Sequence, residues 1–428
     1  QYEYKQFFKF SRFTTLFLIF LALKLSLESY LKIRNISSIK RNKNSIPDRF
    51  TSVVTPEEYE KSTNYNTDKL IFEIIASAFA TGVLLLFTLG GLLNRFTLMI
   101  TDLTDSNIVG VILLGLLLII CSEIIQIPLS IYSTFVLEQK YGFNTTTKKT
   151  FIQDILKGLL ISGTISSVIY ATVIFIIDNS GELWWVYAFI ATTFIQILLF
   201  FLYPVLIMPL FNKFEPLDNE EFKKPIEKLL EKVKFKSKGL FVMNASLRST
   251  HGNAFFTGFG KNRMIVFFDT LLKTINPNEM EAILGHELGH SKLGHIRRRA
   301  ASIIVSGFLV LYILSEIYKT DNFFISHGLT ELTVYSKFLM FNLVIGSYTF
   351  ITKPISSYLS RKAEFQADDF SFQYTDGEHL ISGLLKLTKD NASNLTPDPL
   401  YSAYYYSHPP IAERIKSIEG KIKVNGTS

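Results

Sequence analysis

The chain has 428 residues, 48% of them hydrophobic and 19% charged, with 38 Phe and a mean hydropathy of +0.25. That balance excludes a disordered chain, and a single cysteine, Cys121, excludes an internal disulfide framework and any zinc site built on a cysteine cluster. The formal net charge of +7 points to basic loops beside a membrane, because no module of interleaved aromatic and basic residues is present to bind nucleic acid.

In chain order, Lys5, Lys9 and Arg12 precede an apolar run over residues 13–26 broken by Lys24. The run resembles the front of a signal peptide, but no convincing small-x-small cleavage site follows, so a first membrane helix is expected. Charge-free runs then cover residues 74–94, 158–177 and 183–212, each long enough to cross a hydrocarbon core as a helix. Residues 106–122 form a further run that continues past Glu123 to Leu137, which makes Glu123 a candidate interior residue. Two shorter runs, 300–315 and 338–352, complete a count of seven expected spans.

The connecting segments alternate in charge. Residues 31–69 carry eight Lys and Arg and residues 138–157 carry four, whereas 96–105 and 178–182 carry none. Continued along the chain, this places 213–299 and 361–428 on the same, positive side. The expected organisation is therefore membrane helices 1 to 5 over 1–212, a first part of a catalytic domain over 213–299, helices 6 and 7 over 300–360, and its second part over 361–428. Within the first part, residues 220–234 read as a helix with Phe222, Ile226, Leu229, Leu230 and Val233 on its buried stripe. Residues 239–243 and 264–268 read as short strands around a turn at Gly258, Phe259, Gly260, Lys261 and Asn262, after which Asp269 is expected to open a helix.

The strongest local pattern is His286-Glu287-Leu288-Gly289-His290, inside a helix expected from about Asn278 to Arg299 and running on into the sixth span. At i and i+4 the two imidazoles share a face and can bind one zinc ion, with Glu287 as the base that deprotonates the attacking water. Zinc needs a third protein ligand. His295 is poorly placed for it on a continuous helix, nine positions after His286. Glu364-Phe365-Gln366-Ala367-Asp368 offers a better one: Glu364 can ligate, and Asp368, one turn on, can accept the hydrogen bond that orients a ligating histidine. The chemistry implied is peptide hydrolysis.

At these residues the sequence closely resembles the integral-membrane zinc proteases of the CAAX prenyl protease 1 type. The resemblance extends through Glu138-Gln139-Lys140-Tyr141-Gly142-Phe143-Asn144, Phe211 to Leu217, Arg361 to Asp368 and Tyr406-Ser407-His408-Pro409-Pro410. It implies an all-α polytopic membrane protein whose seven transmembrane helices enclose a large chamber, with a zincin-like α+β catalytic domain at one membrane face. It also implies Glu364 as the third ligand, Asn253 with Ala254 and Phe255 as the strand that binds the substrate backbone, His408 as a donor near the transition state, and Arg414 as a partner of the site carboxylates. One catalytic Zn²⁺ per chain is expected.

The implied substrates are prenylated peptides ending in Cys-a-a-X, which lose their last three residues. An alternative enzyme reading is a quality-control protease that cleaves misfolded or translocon-stalled membrane proteins without need of a lipid. A zinc-containing transporter is the non-enzyme alternative, suggested by Glu123. A monomer in the lipid bilayer is expected, with the catalytic domain on the cytosolic side. The membrane is that of the endoplasmic reticulum and inner nucleus in a eukaryote and the cytoplasmic membrane in a bacterium.

Overall fold

The computed structural model describes residues 11–257 and 263–426; Lys5, Lys9 and the turn at Gly258 to Asn262 lie outside them. Helices dominate. The first half holds α1 (Arg12–Arg41), α2 (Pro56–Phe87), α3 (Leu92–Thr101), α4 (Asn107–Ile131), α5 (Lys148–Asn179), α6 (Trp184–Leu202) and α7 (Met208–Phe211). The second holds α8 (Glu220–Lys232), α9 (Pro277–Lys292), α10 (His295–Tyr318), α11 (Asp321–Ser326), α12 (Val334–Thr349), α13 (Lys353–Tyr374), α14 (Gly377–Asp390), α15 (Pro399–Tyr405) and α16 (Ile411–Gly426). Among the described residues, six helical stretches are long and apolar enough to cross a membrane: Pro56–Phe87, Asn107–Glu138, Lys148–Asn179, Gly181–Phe211, His295–Tyr318 and Val334–Tyr374.

Several boundaries differ from expectation for local reasons. The second run stops as a helix at Phe87 rather than at Asn94, because Gly91 adopts φ +73° and a side chain at Gly90 would meet the Leu86 carbonyl. The basic segment 31–69 is largely helix: α1 extends to Arg41 and α2 starts at Pro56, with Thr55 and Glu58 closing a capping box. Helices α4 and α6 each pass into π-helical turns, Tyr132–Glu138 and Tyr203–Ile207, close to Pro128 and Pro204, whose missing N–H groups disturb the ladder. Asp269 opens no long helix; a single 3₁₀ turn, Leu271–Lys273, follows, and Asp269 accepts a hydrogen bond from the Ser246 N–H at 2.9 Å.

Burial among the described residues is concentrated at the two ends of the spans. At one end Phe17, Leu93, Ile100, Leu114, Ile174, Ala188, Phe324, Tyr335 and Phe341 pack into one buried cluster drawn from eight helices. In between, no residue is buried over 71–86 of α2, 116–136 of α4 and its π turn, 189–203 of α6 or 296–313 of α10, and over 148–172 of α5 only Gly163 is. Twenty-one residues of helix span about 30 Å. A helix packed into a solid bundle buries one face along its length; here neighbouring spans touch in pairs, as Phe189 of α6 does Phe308 of α10, and bury no common core through their middles.

At the other end sits a mixed four-stranded sheet, β1 (Phe214–Pro216), β2 (Gly239–Met243), β3 (Ala254–Thr257) and β4 (Met264–Phe268), in the order β1-β2-β4-β3. Only the β2–β4 pair is parallel, and β3 forms one edge. The stripe expected on α8 is buried as read: Ile226, Leu229 and Leu230 meet Ile265 and Phe267 of the sheet and Met280, Leu284 and Leu288 of α9. Helix α9 also packs against α13 and α14, so it is buried nearly all round.

The α9–α13 contact is close because two glycines one turn apart face α13. A Cβ on Gly289 would stand 2.9 Å from the Ala367 Cα, and one on Gly285 2.8 Å from the Ser371 Oγ. Gly289→Ala is expected to lower stability by about 1–3 kcal/mol through overpacking, whereas Gly307→Ala on α10, where a Cβ meets nothing within 4 Å, leaves stability unchanged or raises it by up to about 1 kcal/mol. Thermal unfolding of the two variants in the same detergent checks the contrast.

Candidate metal centre

Helix α9 is set by its own start and stop signals. Asn276 caps it and Pro277 occupies its first turn, while the Glu279 carboxylate returns to the Asn276 N–H at 2.8 Å. It ends at Leu293, since Gly294 takes φ +74° and α10 begins anew at His295. The continuous helix expected to Arg299 is therefore two helices, and the glycine break carries His295 back toward His290.

His286 and His290, one turn apart, point Nε2 toward each other at 3.2 Å. Glu364 of α13 closes the triangle, with Oε2 3.3 Å from His286 Nε2 and Oε1 3.2 Å from His290 Nε2. Donors about 2.0–2.1 Å from a tetrahedral zinc ion stand about 3.3 Å from one another, and the two imidazole nitrogens and the carboxylate oxygens already stand at that spacing. Glu364 Oε2 is buried yet takes no hydrogen bond of normal geometry, the state of an acceptor whose partner is a cation. This buried His/His/Glu cluster fits a single catalytic zinc ion. When bound, zinc polarises a peptide carbonyl and acidifies water at neutral pH.

Behind the triangle, Asp368 Oδ1 lies 2.8 Å from His286 Nδ1, and Arg414 of α16 holds the same carboxylate through Nε at 2.9 Å and Nη2 at 2.6 Å. All three side chains are buried. A carboxylate only accepts, so Asp368 fixes the proton of His286 at Nδ1 and frees Nε2 for a metal. Without a metal, burial and the Arg414 guanidinium push the His286 pKa down, but the Asp368 and Glu364 carboxylates outweigh them and raise it to about 9. Metal binding displaces that proton.

The remaining expected residues lie around the cluster. Glu287 is half-buried, one position round the helix from His286. His408 places Nδ1 2.8 Å from Glu364 Oε2 with its ring largely exposed. Asn253 is exposed just before β3; its carbonyl accepts from the Phe268 N–H, and its side chain accepts from the Ala254 N–H at 2.9 Å. Ala254 and Phe255 pair with Phe267 and Val266, on the strand that packs against α9.

Other contributors have no site role assigned by the sequence. Arg361 of α13 donates to the carbonyls of Ser402, Ala403 and Tyr406, holding the segment that ends at His408. Asn391 brackets Gly252 through both its N–H and its carbonyl, and His251 Nδ1 lies 3.1 Å from the same amide oxygen. Arg248 binds Asp154 of α5 in bidentate fashion and donates to the Phe211 carbonyl, which ties the approach to β3 to two membrane helices. In the sequence these residues are isolated polar positions, and only the tertiary fold shows their use.

Fold and site together define a zinc-dependent peptidase that is an integral, multi-pass membrane protein. Comparison with known proteins is specific on the lineage. Residues 35–213 match the family described as CAAX prenyl protease N-terminal, five membrane helices, and residues 216–422 match peptidase family M48. The chain is 34% identical to the CAAX prenyl protease 1 homolog of Arabidopsis thaliana, over 92% of this chain and 95% of that protein. It is 36% identical to the probable CAAX prenyl protease 1 of Schizosaccharomyces pombe, over 92% and 86%. The crystal structure of S. mikatae Ste24p is similar with a TM-score of 0.89 at 31% identity, covering 96% of this chain and 99% of that one. The chain belongs to the CAAX prenyl protease 1 family of M48 membrane zinc metalloproteases.

One charge at the root of α9 makes a pH-dependent contribution. Burial raises the pKa of Glu279, but hydrogen bonds from Lys386, Ser382 and the Asn276 N–H outweigh burial and leave it lowered. A depressed carboxylate stabilises the fold above its unfolded pKa of about 4.3 and ceases to do so as pH falls through the folded value. Glu279→Gln is expected to lose about 1.5–3 kcal/mol at pH 7, with the gap in unfolding temperature from wild type closing as pH falls below about 4.

Proposed function

We propose that the chain is a seven-span protease that removes the last three residues from prenylated peptides ending in Cys-a-a-X. The observation that carries this reading is that the similarity to proteins named CAAX prenyl protease 1 runs through the membrane half as well as the peptidase half. A lipid-bearing substrate gives the membrane half its use, since the prenyl chain stays in an apolar phase while the peptide reaches the zinc site. The spans, which bury no common core between their two packed ends, support a chamber opening toward the catalytic layer.

In this reading α1 is the seventh span. It reaches from the far cluster, through Phe17 and Leu21, to the catalytic side, where Leu31 and Ile39 pack on Tyr401 and Tyr404. The same topology supports a division into membrane helices over 1–212 and 300–360, and a catalytic zincin-like domain assembled from 213–299 and 361–428. The positive loops support a cytosolic position for that domain, at the endoplasmic reticulum or inner nuclear membrane in a eukaryotic host and the cytoplasmic membrane in a bacterium.

His286, His290 and Glu364 hold the zinc, Asp368 orients His286, and Arg414 neutralises Asp368. The substrate backbone lies along the open edge of β3, from Asn253 through Ala254 to Phe255, as a strand added to the sheet. Glu287 takes a proton from the attacking water onto a carboxylate oxygen and returns it to the leaving amine nitrogen. His408, exposed beside the cluster, donates a ring N–H to the oxygen that gains charge as water adds to the carbonyl.

Two measurements test the reading. Glu287→Gln should lose peptidase activity by at least about 10²-fold while keeping one zinc per chain. The same peptide offered with and without a farnesyl group should be cut much faster with it; equal rates would contradict the prenyl requirement and favour a protease that acts on misfolded or stalled membrane proteins.

A further inference from the structure

The polar contacts of the second zinc histidine show how its proton is placed. His290 Nδ1 lies 3.0 Å from His295 Nδ1, and His295 Nε2 lies 3.0 Å from Gln366 Oε1. Two imidazole nitrogens in such contact share one proton, which one carries and the other accepts. His290 Nε2 faces His286 and Glu364 at 3.2 Å each, so a metal there requires its lone pair and leaves its proton on Nδ1. The direction of the chain follows: His290 Nδ1–H donates to His295 Nδ1, and His295 Nε2–H donates to Gln366 Oε1.

His295 is also buried where its helix is not. It is 8% exposed at the first position of α10, whereas none of the next eighteen residues is buried. Gly294 supplies the turn that brings it there, and a polar ring in that position answers no packing need of the exposed helix it opens.

We propose that His295 and Gln366 are positioning residues for His290, fixing the tautomer and ring orientation that let His290 ligate zinc. The proposal rests on the zinc-site reading above and deepens it. The two ligating histidines are then held by unlike devices. Asp368 can only accept, so charge fixes His286. Gln366 is an amide with a donor at one end and an acceptor at the other. Turned over, it would donate to His295 Nε2, reverse both hydrogen bonds and put the His290 proton on Nε2, where it blocks the metal. His290 is therefore the less firmly held ligand, and its grip depends on the Gln366 side chain facing His295 with its oxygen.

The test measures zinc affinity of the full-length protein in detergent by competition with a chromophoric chelator, beside thermal unfolding of the metal-free form. His295→Leu removes the acceptor and should weaken zinc binding by about 10–100-fold. In His295→Asn an oxygen can occupy the place of Nδ1, and most of the affinity should return. Gln366→Met keeps the ring but removes its acceptor, and should weaken binding by a smaller factor. Wild-type affinity in His295→Leu would overturn the proposal. So would equal weakening in His295→Leu and His295→Asn with unchanged metal-free unfolding. If His295→Leu unfolds without metal, Gln366→Met decides, and wild-type affinity there overturns the proposal. His290→Ala separates the two readings: zinc bound as tightly as in wild type there contradicts the zinc site itself rather than the role of His295.

Discussion

The close approach of α9 and α13 is the constraint on which the rest depends. The zinc ligands come from two segments 74 positions apart in sequence, His290 and Glu364, and they meet only because Gly285 and Gly289 let one helix backbone lie against the other. A methyl group on either glycine would fall under 3 Å from α13 atoms. Gly289 lies inside the His-Glu-Leu-Gly-His pattern itself, so the same five residues supply two histidines of the metal cluster and half of the helix contact. The opposite faces of α9 are covered by the sheet, α8 and α14, which leaves the helix little freedom to rotate.

Charge organises what packing brings together. The triangle of His286, His290 and Glu364 is backed on one side by the ionic pair of Asp368 and Arg414, which arrives from α16 near the end of the chain. Farther out, polar contacts fasten the membrane helices to this layer: Arg34 of α1 pairs with Asp398, Ser62 of α2 donates to the carbonyls of Ala392 and Ser393, and Arg248 bridges α5 and the end of α7. The basic residues counted in the net charge of +7 include Arg34 and Arg248, so part of that charge serves structure. Between the fastened layer and the packed far end, the spans touch their neighbours but bury no common core, an arrangement unlike a helical bundle whose core runs its full length.

Much of this was legible in the sequence, and the failures have physical causes. The long apolar runs, the amphipathic α8, β2 and β4, and the paired histidines follow from periodicity and spacing, which are local properties. Helix ends were less legible. The continuous helix through Arg299 fails at Gly294, and the second span stops early at Gly90 and Gly91, because positive-φ glycines interrupt patterns that composition alone would extend. His295 was discounted as a ligand on the assumption of one helix; with the helix broken it lies against His290 as a neighbour instead. Arg361, Asn391 and Arg248 had no periodic signal, since each acts on a backbone carbonyl or a side chain that only the tertiary fold brings near.

The central claim is that the α9–α13 junction builds one zinc site from His286, His290 and Glu364. Zinc K-edge absorption spectroscopy on the purified full-length protein, with elemental analysis of the same sample, tests it most directly. The account predicts one zinc per chain with two imidazole ligands and oxygen donors, and a signal from Glu364→Ala that loses the carboxylate contribution or the metal. Zinc bound with an unchanged spectrum in Glu364→Ala, or no zinc in the wild type, would contradict it.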